Sequence, residues 1–349
     1  MITIKQENNF DFLSAEYEAH FAACSASGFQ CPFWMDAFYR HLVPAEGAEP
    51  LIITFRKGNE LQGVVGLVRR KIKGLTLIET TDLGVSDYAC PVLRDDLISF
   101  LEKDKQLKAQ FQLVLGSHNI LRLRPILPEH KRAWLALFDG QTETLDFSSH
   151  AVALQEPFED WRAENVDKKL ASMMARKGKR WHRQHEVMLE RVTDPANVAP
   201  AIINLAKLRE GRFEGDPIQT EPVKDFYAAV ASAGAANGQT ETWMVTSDGD
   251  IAGILFGLIH NGAFLYLLIG ANYDDHGRHS PGLQMYDWII EDWMKRGGNS
   301  FDFTIGDEPF KQQFGTSAKP MSMILKGNGL LGNLAINMFG KKLRRESNG

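Results

Sequence analysis

The chain contains the same order of secondary-structure patterns twice, and this repeat limits the possible folds more than any other feature. In each half, helical patterns lead into two apolar strands joined by a short turn that contains glycine. The two hairpins cover residues 51–68 and 242–258, with turns at Gly58-Asn59 and Asp248-Gly249. A third strand, a helix and a further strand follow each hairpin. This order predicts, in each half, a mixed sheet with helices on both faces.

The length of the chain, 349 residues, fits two domains of ordinary size. We therefore predict an α/β protein with domains at residues 1–150 and 151–349, and we place their boundary near residues 148–156. In the first domain we expect a strand at residues 111–115 between two helices. The halves share this architecture but show no close identity of residues.

Composition excludes several functional classes. Hydrophobic residues make up 44% of the chain and charged residues 24%, and the net charge of −5 gives no general attraction for nucleic acid or for an anionic membrane. The three cysteines, Cys24, Cys31 and Cys90, are too few and too irregularly spaced for a disulfide framework or a zinc site. We expect a cytoplasmic protein without metal, signal peptide or transmembrane segment.

Four short segments carry more specific information. The segment Pro32-Phe33-Trp34 opens a predicted helix, and Gly84-Val85-Ser86-Asp87-Tyr88 follows the first sheet. In the second half, Arg278-His279-Ser280-Pro281-Gly282 leads into a long predicted helix. In the last segment, residues 301–315, the chain from Asp302 onward has the form Asp-Phe-x-x-Gly-Asp-Glu-Pro-aromatic-Lys-x-x-aromatic-Gly.

With these segments in this order, the chain resembles tandem GNAT acyltransferases, in the branch of CelD-type polysaccharide-biosynthesis acetyltransferases and FemAB peptidyltransferases. FemAB-type proteins carry a similar Phe-Lys-x-x-Phe-Gly, matched here by Phe310, Lys311, Phe314 and Gly315. The resemblance implies two GNAT-like domains, with acetyl-CoA or another acyl-CoA as donor on the C-terminal domain. It also implies a small acceptor with an amine or hydroxyl, such as a sugar or nucleotide sugar, in a cleft between the domains.

The segment before the long helix is the predicted donor site, formed by Arg278, His279, Ser280 and Gly282. A helix N-terminus offers unpaired N–H groups and partial positive charge, which suit a diphosphate. Arg278 adds a bidentate donor, Gly282 allows a close approach to the backbone, and His279 is the nearest histidine. The usual GNAT signature, Gln/Arg-x-x-Gly-x-Gly/Ala, is only partly kept, and a capped helix start without a ligand is the alternative.

Three residues of the final segment are the predicted catalytic groups. Asp302 or Glu308 would accept a proton from the acceptor, and Lys311 would stabilise the charged intermediate. The alternatives are a structural carboxylate for Asp302, a helix cap for Glu308 and a solvent-exposed lysine for Lys311.

Four further residues are predicted to contact the acceptor. They are Asp87 and Tyr88 in the first half, and Asp307 and Phe310 in the second. The alternative for Tyr88 is a packed loop residue, and for Asp307 a helix cap. CelD-type relatives typically have tyrosine at the position of Phe310, so a phenol that could act as general acid is absent there.

A basic helix predicted at residues 166–185 leaves a second donor open. Its seven cations indicate either a clamp for a phosphorylated ligand or tRNA, or a solvated face: Lys168, Lys169, Arg176, Lys177, Lys179, Arg180 and Arg183. FemAB-type proteins that use aminoacyl-tRNA often insert a long helical hairpin at this place. This chain has only the predicted helix at residues 166–185 there, which disfavours tRNA. A non-catalytic protein of envelope-polysaccharide assembly is the third hypothesis.

The end of the sequence combines an apolar helical pattern at residues 330–339 with a basic run at residues 341–345. We weigh two interpretations of this pattern. The helix either packs on its domain or contacts a membrane surface or a partner.

Overall fold

The structure is a computed structural model that describes residues 1–345, without the side chains of Phe339 and of residues 341–345. The basic run at 341–345 therefore lies outside the described side chains. Contacts divide the chain into two compact units. Unit 1 comprises Met1–Asp146 and the described residues from Pro320 onward, and unit 2 comprises Phe147–Lys319.

The two crossings between the units occur inside strands. One lies in the strand Glu143–Ala153 and the other in the strand Ser317–Gly327. The segment at 148–156, expected to be a boundary, is thus largely strand, and the residues after Pro320 group with the N-terminal half rather than the C-terminal one.

Unit 1 consists of one sheet with helices on its faces, and a π-helical turn, Phe38–Leu42, joins α2 to α3. Its elements in chain order are β1 Ile2–Glu7, α1 Ala15–Ala22, α2 Pro32–Ala37, α3 Val43–Ala45, β2 Glu49–Lys57, β3 Glu60–Ile72, β4 Leu75–Thr80, β5 Val92–Leu93, α4 Asp95–Lys103, α5 Lys105–Leu115, β6 Ile120–Ile126 and α6 Lys131–Leu137.

Unit 2 follows the strand β7, and the chain then returns to unit 1 through β13. The remaining elements are β7 Glu143–Ala153, α7 Phe158–Asn165, α8 Lys168–Gln184, β8 Val187–Arg191, α9 Pro195–Arg209, α10 Glu221–Ala236, β9 Thr240–Ser247, β10 Asp250–His260, β11 Ala263–Ala271, α11 Tyr273–His276, α12 Pro281–Lys295, β12 Ser300–Ile305, α13 Pro309–Gln313, β13 Ser317–Gly327 and α14 Gly329–Arg345.

The two sheets have corresponding topologies. In unit 1 the strand order is β1-β2-β3-β4-β6-β13, with β5 beside β3, and β4 and β6 are parallel. In unit 2 the order is β7-β12-β11-β10-β9-β8, and β11 and β12 are parallel. Each sheet therefore has four antiparallel strands, then a strand parallel to the fourth, then an antiparallel one. The predicted α/β class with a repeated mixed sheet is confirmed.

Some elements differ from the prediction for identifiable reasons. Residues 111–115 continue helix α5, because Leu107, Phe111 and Leu115 recur at helical spacing and are all buried. The strand β6 escapes prediction because it carries Arg122 and Arg124, which are buried as well. Cations are rare in protein interiors, so their presence hides the strand in the sequence.

Each unit has its own apolar core. The core of unit 1 contains Phe55, Phe111 and Trp134 between the sheet and helices α4 to α6. The core of unit 2 contains Trp181 and Phe301. The second core fixes α8 and α12 against the sheet and so positions the site described below.

Candidate active site

The strands β11 and β12 of unit 2 separate after a short parallel pairing. They pair over residues 263–265 and 300–302, and β11 then continues to Ala271 with β10 as its partner. Beyond the pairing, Thr304 has a φ of 57° and Gly306 a φ of 107°. Left-handed backbone is unfavourable for threonine, so the bend in β12 needs compensating contacts.

Contacts of Asp302 and Thr304 supply that compensation. The Thr304 amide donates to Oδ1 of Asp302 at 2.8 Å, and the Thr304 hydroxyl donates to the carbonyl of Tyr266 at 3.0 Å. Asp302 is half-buried, on the opposite face from the buried Phe301 and Phe303, as strand alternation predicts. In this structure its carboxylate supports the bend that separates β11 from β12.

Lys311 supports the same end of β12 from the protein interior. Its side chain is only 1% exposed, and its ammonium donates to the carbonyl of Ile305 and lies 2.9 Å from the carboxylate of Glu308. Two groups thus already hold this ammonium inside the protein. This geometry does not fit the predicted direct contact of Lys311 with a charged intermediate, nor a solvent-exposed lysine. The structure assigns Lys311 to positioning the turn.

Asp307 and Glu308 remain accessible on this turn. Their side chains are 45% and 55% exposed. Asp307 Oδ1 lies 2.7 Å from Nε2 of His150, a buried β7 residue that the sequence does not single out, and Nδ1 of His150 lies 3.2 Å from the hydroxyl of Thr316. Neither carboxylate caps α13, because no side-chain capping bond forms there.

Two tyrosines bring phenols to this place, and neither is singled out by the sequence. Tyr266 on β11 and Tyr286 on α12 are hydrogen-bonded to each other through their hydroxyls. Phe310 stacks on the Tyr286 ring with centroids 5.3 Å apart. Burial, aided by the nearby carboxylate of Glu308, raises the pKa of Tyr266 to about 12 and that of Tyr286 well above its ordinary value. Both phenols therefore keep their protons at neutral pH.

The predicted donor segment forms a tight turn before α12. Ser280 is left-handed, with φ 56° and ψ 58°, and Arg278 is exposed. His279 is fully buried and stacks on Trp181 with centroids 5.5 Å apart. Burial, helped by the guanidiniums of Arg278 and Arg180, lowers the pKa of His279 to about 4. A contact between His279 and a ligand does not fit this placement, and the neutral ring instead accepts a bond from Nε of Arg278 at 3.0 Å.

Helix α8 brings further cations to the same turn. The ammonium of Lys177 donates to the Ser280 hydroxyl at 2.7 Å, and Arg180 donates to the carbonyl of Arg278. Within residues 1–345, none of these three cations forms an ion pair with a carboxylate. Two predictions made separately from the sequence, the basic helix and the donor loop, therefore concern one place: the cation cluster of Lys177, Arg180 and Arg278.

Gly282, predicted to allow a close approach of the donor, also lies against Tyr273. A Cβ at this position would lie 2.7 Å from the hydroxyl of Tyr273 and 3.4 Å from Cδ1 of Ile269. A side chain here would therefore require Tyr273 to shift. Arg212 in turn lies over the Tyr273 ring, 4.8 Å from its centroid.

The two segments singled out in unit 1 contact each other. The indole of Trp34 donates to the hydroxyl of Ser86 at 3.1 Å. Tyr88 is buried, and its ring meets Phe29 edge-on at 5.4 Å, so the predicted stacking on an acceptor does not fit and the packed alternative does. Asp87 is half-buried.

A buried charged group in unit 1 escapes prediction from the sequence. Glu79 forms ion pairs with Arg70 and Arg122, and Asp82 is buried near Arg124. Burial raises the pKa of Asp82 to about 6, although Arg124 and Arg122 oppose this shift. The group lies where β4 and β6 separate, the place that corresponds to the divergence of β11 and β12 in unit 2.

Two absences apply to the part of the chain that the structure describes. It contains no group of three or more His, Cys, Asp or Glu side chains arranged to hold a metal ion. None of its helices combines the length and apolar character needed to cross a bilayer.

Comparison with known proteins finds one matching family model and several similar structures. Residues 168–312 match the acetyltransferase (GNAT) domain. The chain is similar in structure to FemX, with 11% identity and a TM-score of 0.64 over 96% of this chain and 99% of that chain. L-PGS from Bacillus licheniformis gives 12% identity and a TM-score of 0.57 over 97% and 99%.

A third similar structure is the tandem GNAT protein from the clavulanic acid biosynthesis pathway, with 12% identity and a TM-score of 0.51 over 94% and 99%. At such identities the structural likeness concerns the fold alone. No curated protein sequence matches the chain. Residues 168–312 therefore match a domain model of the GNAT type, and the chain is similar in fold to tandem GNAT proteins.

Proposed function

We propose that the protein transfers an acetyl or other acyl group from acyl-CoA to an amine or hydroxyl of a small acceptor. The observation that carries this proposal is the cation cluster of Lys177, Arg180 and Arg278 at the start of α12. Three cations without carboxylate partners, next to a helix N-terminus, suit a diphosphate. The same helix, α12, also contains Tyr286, which lies where β11 and β12 separate. A ligand that starts at the cluster can therefore extend along α12 toward this separation.

The fit of acyl-CoA is a matter of charge and shape. Lys177, Arg180 and Arg278 would hold its phosphates, and the part of β11 beyond Leu265, where pairing with β12 has ended, would lie along its extended arm. When bound, acyl-CoA supplies an acyl group activated as a thioester.

Transfer forms a bond from the acceptor nitrogen or oxygen to the acyl carbon and breaks the carbon–sulfur bond. One proton leaves the acceptor, and one is needed at the sulfur. Glu308 is the accessible carboxylate that takes the first proton, and Tyr266, with its pKa raised to about 12, holds the second. Tyr266 thus supplies the phenol that Phe310 lacks.

Direct transfer, without a covalent enzyme intermediate, agrees with the state of the cysteines. Burial raises the pKa of Cys24 to about 11 and those of Cys31 and Cys90 further. Thiols that stay protonated are weak nucleophiles. Acyl-CoA as donor and three free cysteines also favour a cytoplasmic location.

The acceptor class follows from the resemblance to CelD-type enzymes. We propose a sugar or nucleotide sugar, with Asp307 as the exposed carboxylate that contacts it.

Titration of acetyl-CoA by calorimetry tests the donor. We expect saturable binding to the wild-type protein and about tenfold weaker binding to Arg278→Gln, because one charge-assisted contact is lost. Lys179→Gln, on the opposite side of α8 from Lys177, is the matched control and retains wild-type affinity. Absence of binding at millimolar acetyl-CoA would contradict acyl-CoA as donor.

Aminoacyl-tRNA is the second candidate donor, favoured by the exposed cations of α8 and by the likeness in fold to FemX. Filter binding of tRNA at several salt concentrations separates the two. A steep loss of binding with salt, together with no response to acetyl-CoA, would favour tRNA.

A further inference from the structure

Helix α14 packs on unit 1 through one side. Ala335 is buried with Leu77 and Ile120, and Ile336 packs beside them. Gly332 lies so close to the chain below that a Cβ there would be 2.0 Å from the carbonyl of Asn119. These contacts fix which side of the helix faces the domain.

The other side of α14 is apolar and exposed. It carries what we call the apolar stripe: Leu330, Leu331, Leu334 and Met338, with exposures of 92%, 63%, 55% and 66%. At 3.6 residues per turn these four positions fall within about 100° of the helix circumference. Every other described helix carries at most one large hydrophobic side chain that is exposed. Scattered exposed residues need no explanation, but a contiguous stripe indicates a binding surface.

The charge of the following turn indicates what covers the stripe. The same helix continues through Lys341, Lys342, Arg344 and Arg345, four cations in five positions of a chain whose net charge is −5. An apolar groove on a protein partner requires no such run of cations. An anionic lipid surface requires both features, apolar side chains for the acyl boundary and cations for the headgroup phosphates.

We propose that α14 docks the protein on an anionic phospholipid surface, lying in the interface with the apolar stripe inserted and the basic turn against the headgroups. This surface belongs to unit 1, and the proposal does not depend on the chemistry of unit 2. It assigns α14 a role in peripheral membrane binding that the acyltransferase fold does not imply.

Co-sedimentation with vesicles tests the proposal on the full chain. We expect binding to phosphatidylcholine vesicles that contain about one-third phosphatidylglycerol, and much weaker binding to phosphatidylcholine alone. The double variant Lys341→Gln with Lys342→Gln should lower the partition coefficient about 30-fold, from about 1 kcal/mol for each cation. The double variant Leu334→Gln with Met338→Gln should lower it about tenfold or more.

Matched controls keep the result specific. Leu113→Gln removes a leucine that is 81% exposed on α5, and Lys103→Gln with Lys105→Gln removes two exposed lysines of unit 1. Both controls should bind vesicles like the wild type. Failure of the wild type to bind anionic vesicles overturns the proposal. Equal binding by the α14 variants and the controls also overturns it. If the wild-type protein does not bind vesicles and the stripe variant changes its self-association, the stripe belongs to a contact with a second copy of the chain.

Discussion

Tyr266 is the residue on which the proposed chemistry depends most. It follows the last position at which β11 pairs with β12, and its hydroxyl contacts that of Tyr286. Its carbonyl also accepts a hydrogen bond from the hydroxyl of Thr304, so the bend of β12 and the position of Tyr266 are linked. The phenol is protonated at neutral pH and lies where β11 and β12 separate, so it can donate its proton to a departing thiolate.

Replacing this hydroxyl tests its role. Tyr266→Phe should lower kcat about 100-fold or more, because general acid catalysis is lost, while acetyl-CoA affinity changes little. Because the pKa of Tyr266 is about 12, the loss should be similar between pH 6 and pH 9. Stopped-time assays of thiol release measure kcat. Tyr227→Phe on α10 is the control, and an activity of Tyr266→Phe within threefold of wild type would remove Tyr266 from the mechanism.

At the scale of single residues, the sequence identifies the segments that form the site better than it identifies the role of each residue. It singles out Lys311 and His279, but burial turns both into supporting groups. It misses Tyr266 and Tyr286, because both lie in apolar runs and meet only through the packing of α12 on β11. No local pattern reports such a contact between residues 20 positions apart.

The turn between β12 and α13 is the element that holds the exposed carboxylates in place. Lys311 bonds the carbonyl of Ile305 from inside, while Glu308 pairs with the same ammonium from the solvent side. The two partners differ in burial, so their removal should have different costs.

Denaturant unfolding of two variants measures this difference. Lys311→Met should lower the free energy of unfolding by about 1–3 kcal/mol, because the Ile305 carbonyl loses a buried charged donor. Glu308→Gln should lower it by less than about 1 kcal/mol, since exposed ion pairs contribute little. Equal losses for both variants would show that Lys311 acts through the ion pair rather than through the strand end.

Elements with a clear period are predictable here, and those with buried charge are not. The hairpins β2–β3 and β9–β10 follow from apolar runs with glycine-containing turns. The strand β6 does not, because Arg122 is stabilised by Glu79 on β4, a partner 43 residues earlier in the chain.

Across the whole molecule, the repeated order of elements predicts the fold because each half folds through local patterns. The limits of the compact units do not follow from those patterns. The chain returns to unit 1 at Pro320, and β13 pairs there with β6, which lies far earlier in the sequence. Pairings between distant segments leave no periodic signal in either one.

A crystal structure of the protein with acetyl-CoA is the most direct test of the proposed function. We predict that the phosphates contact the cation cluster of Lys177, Arg180 and Arg278, and that the thioester lies beside the hydroxyl of Tyr266. Density for acetyl-CoA elsewhere, or none in crystals soaked at saturating concentration with this region free of lattice contacts, would contradict the account.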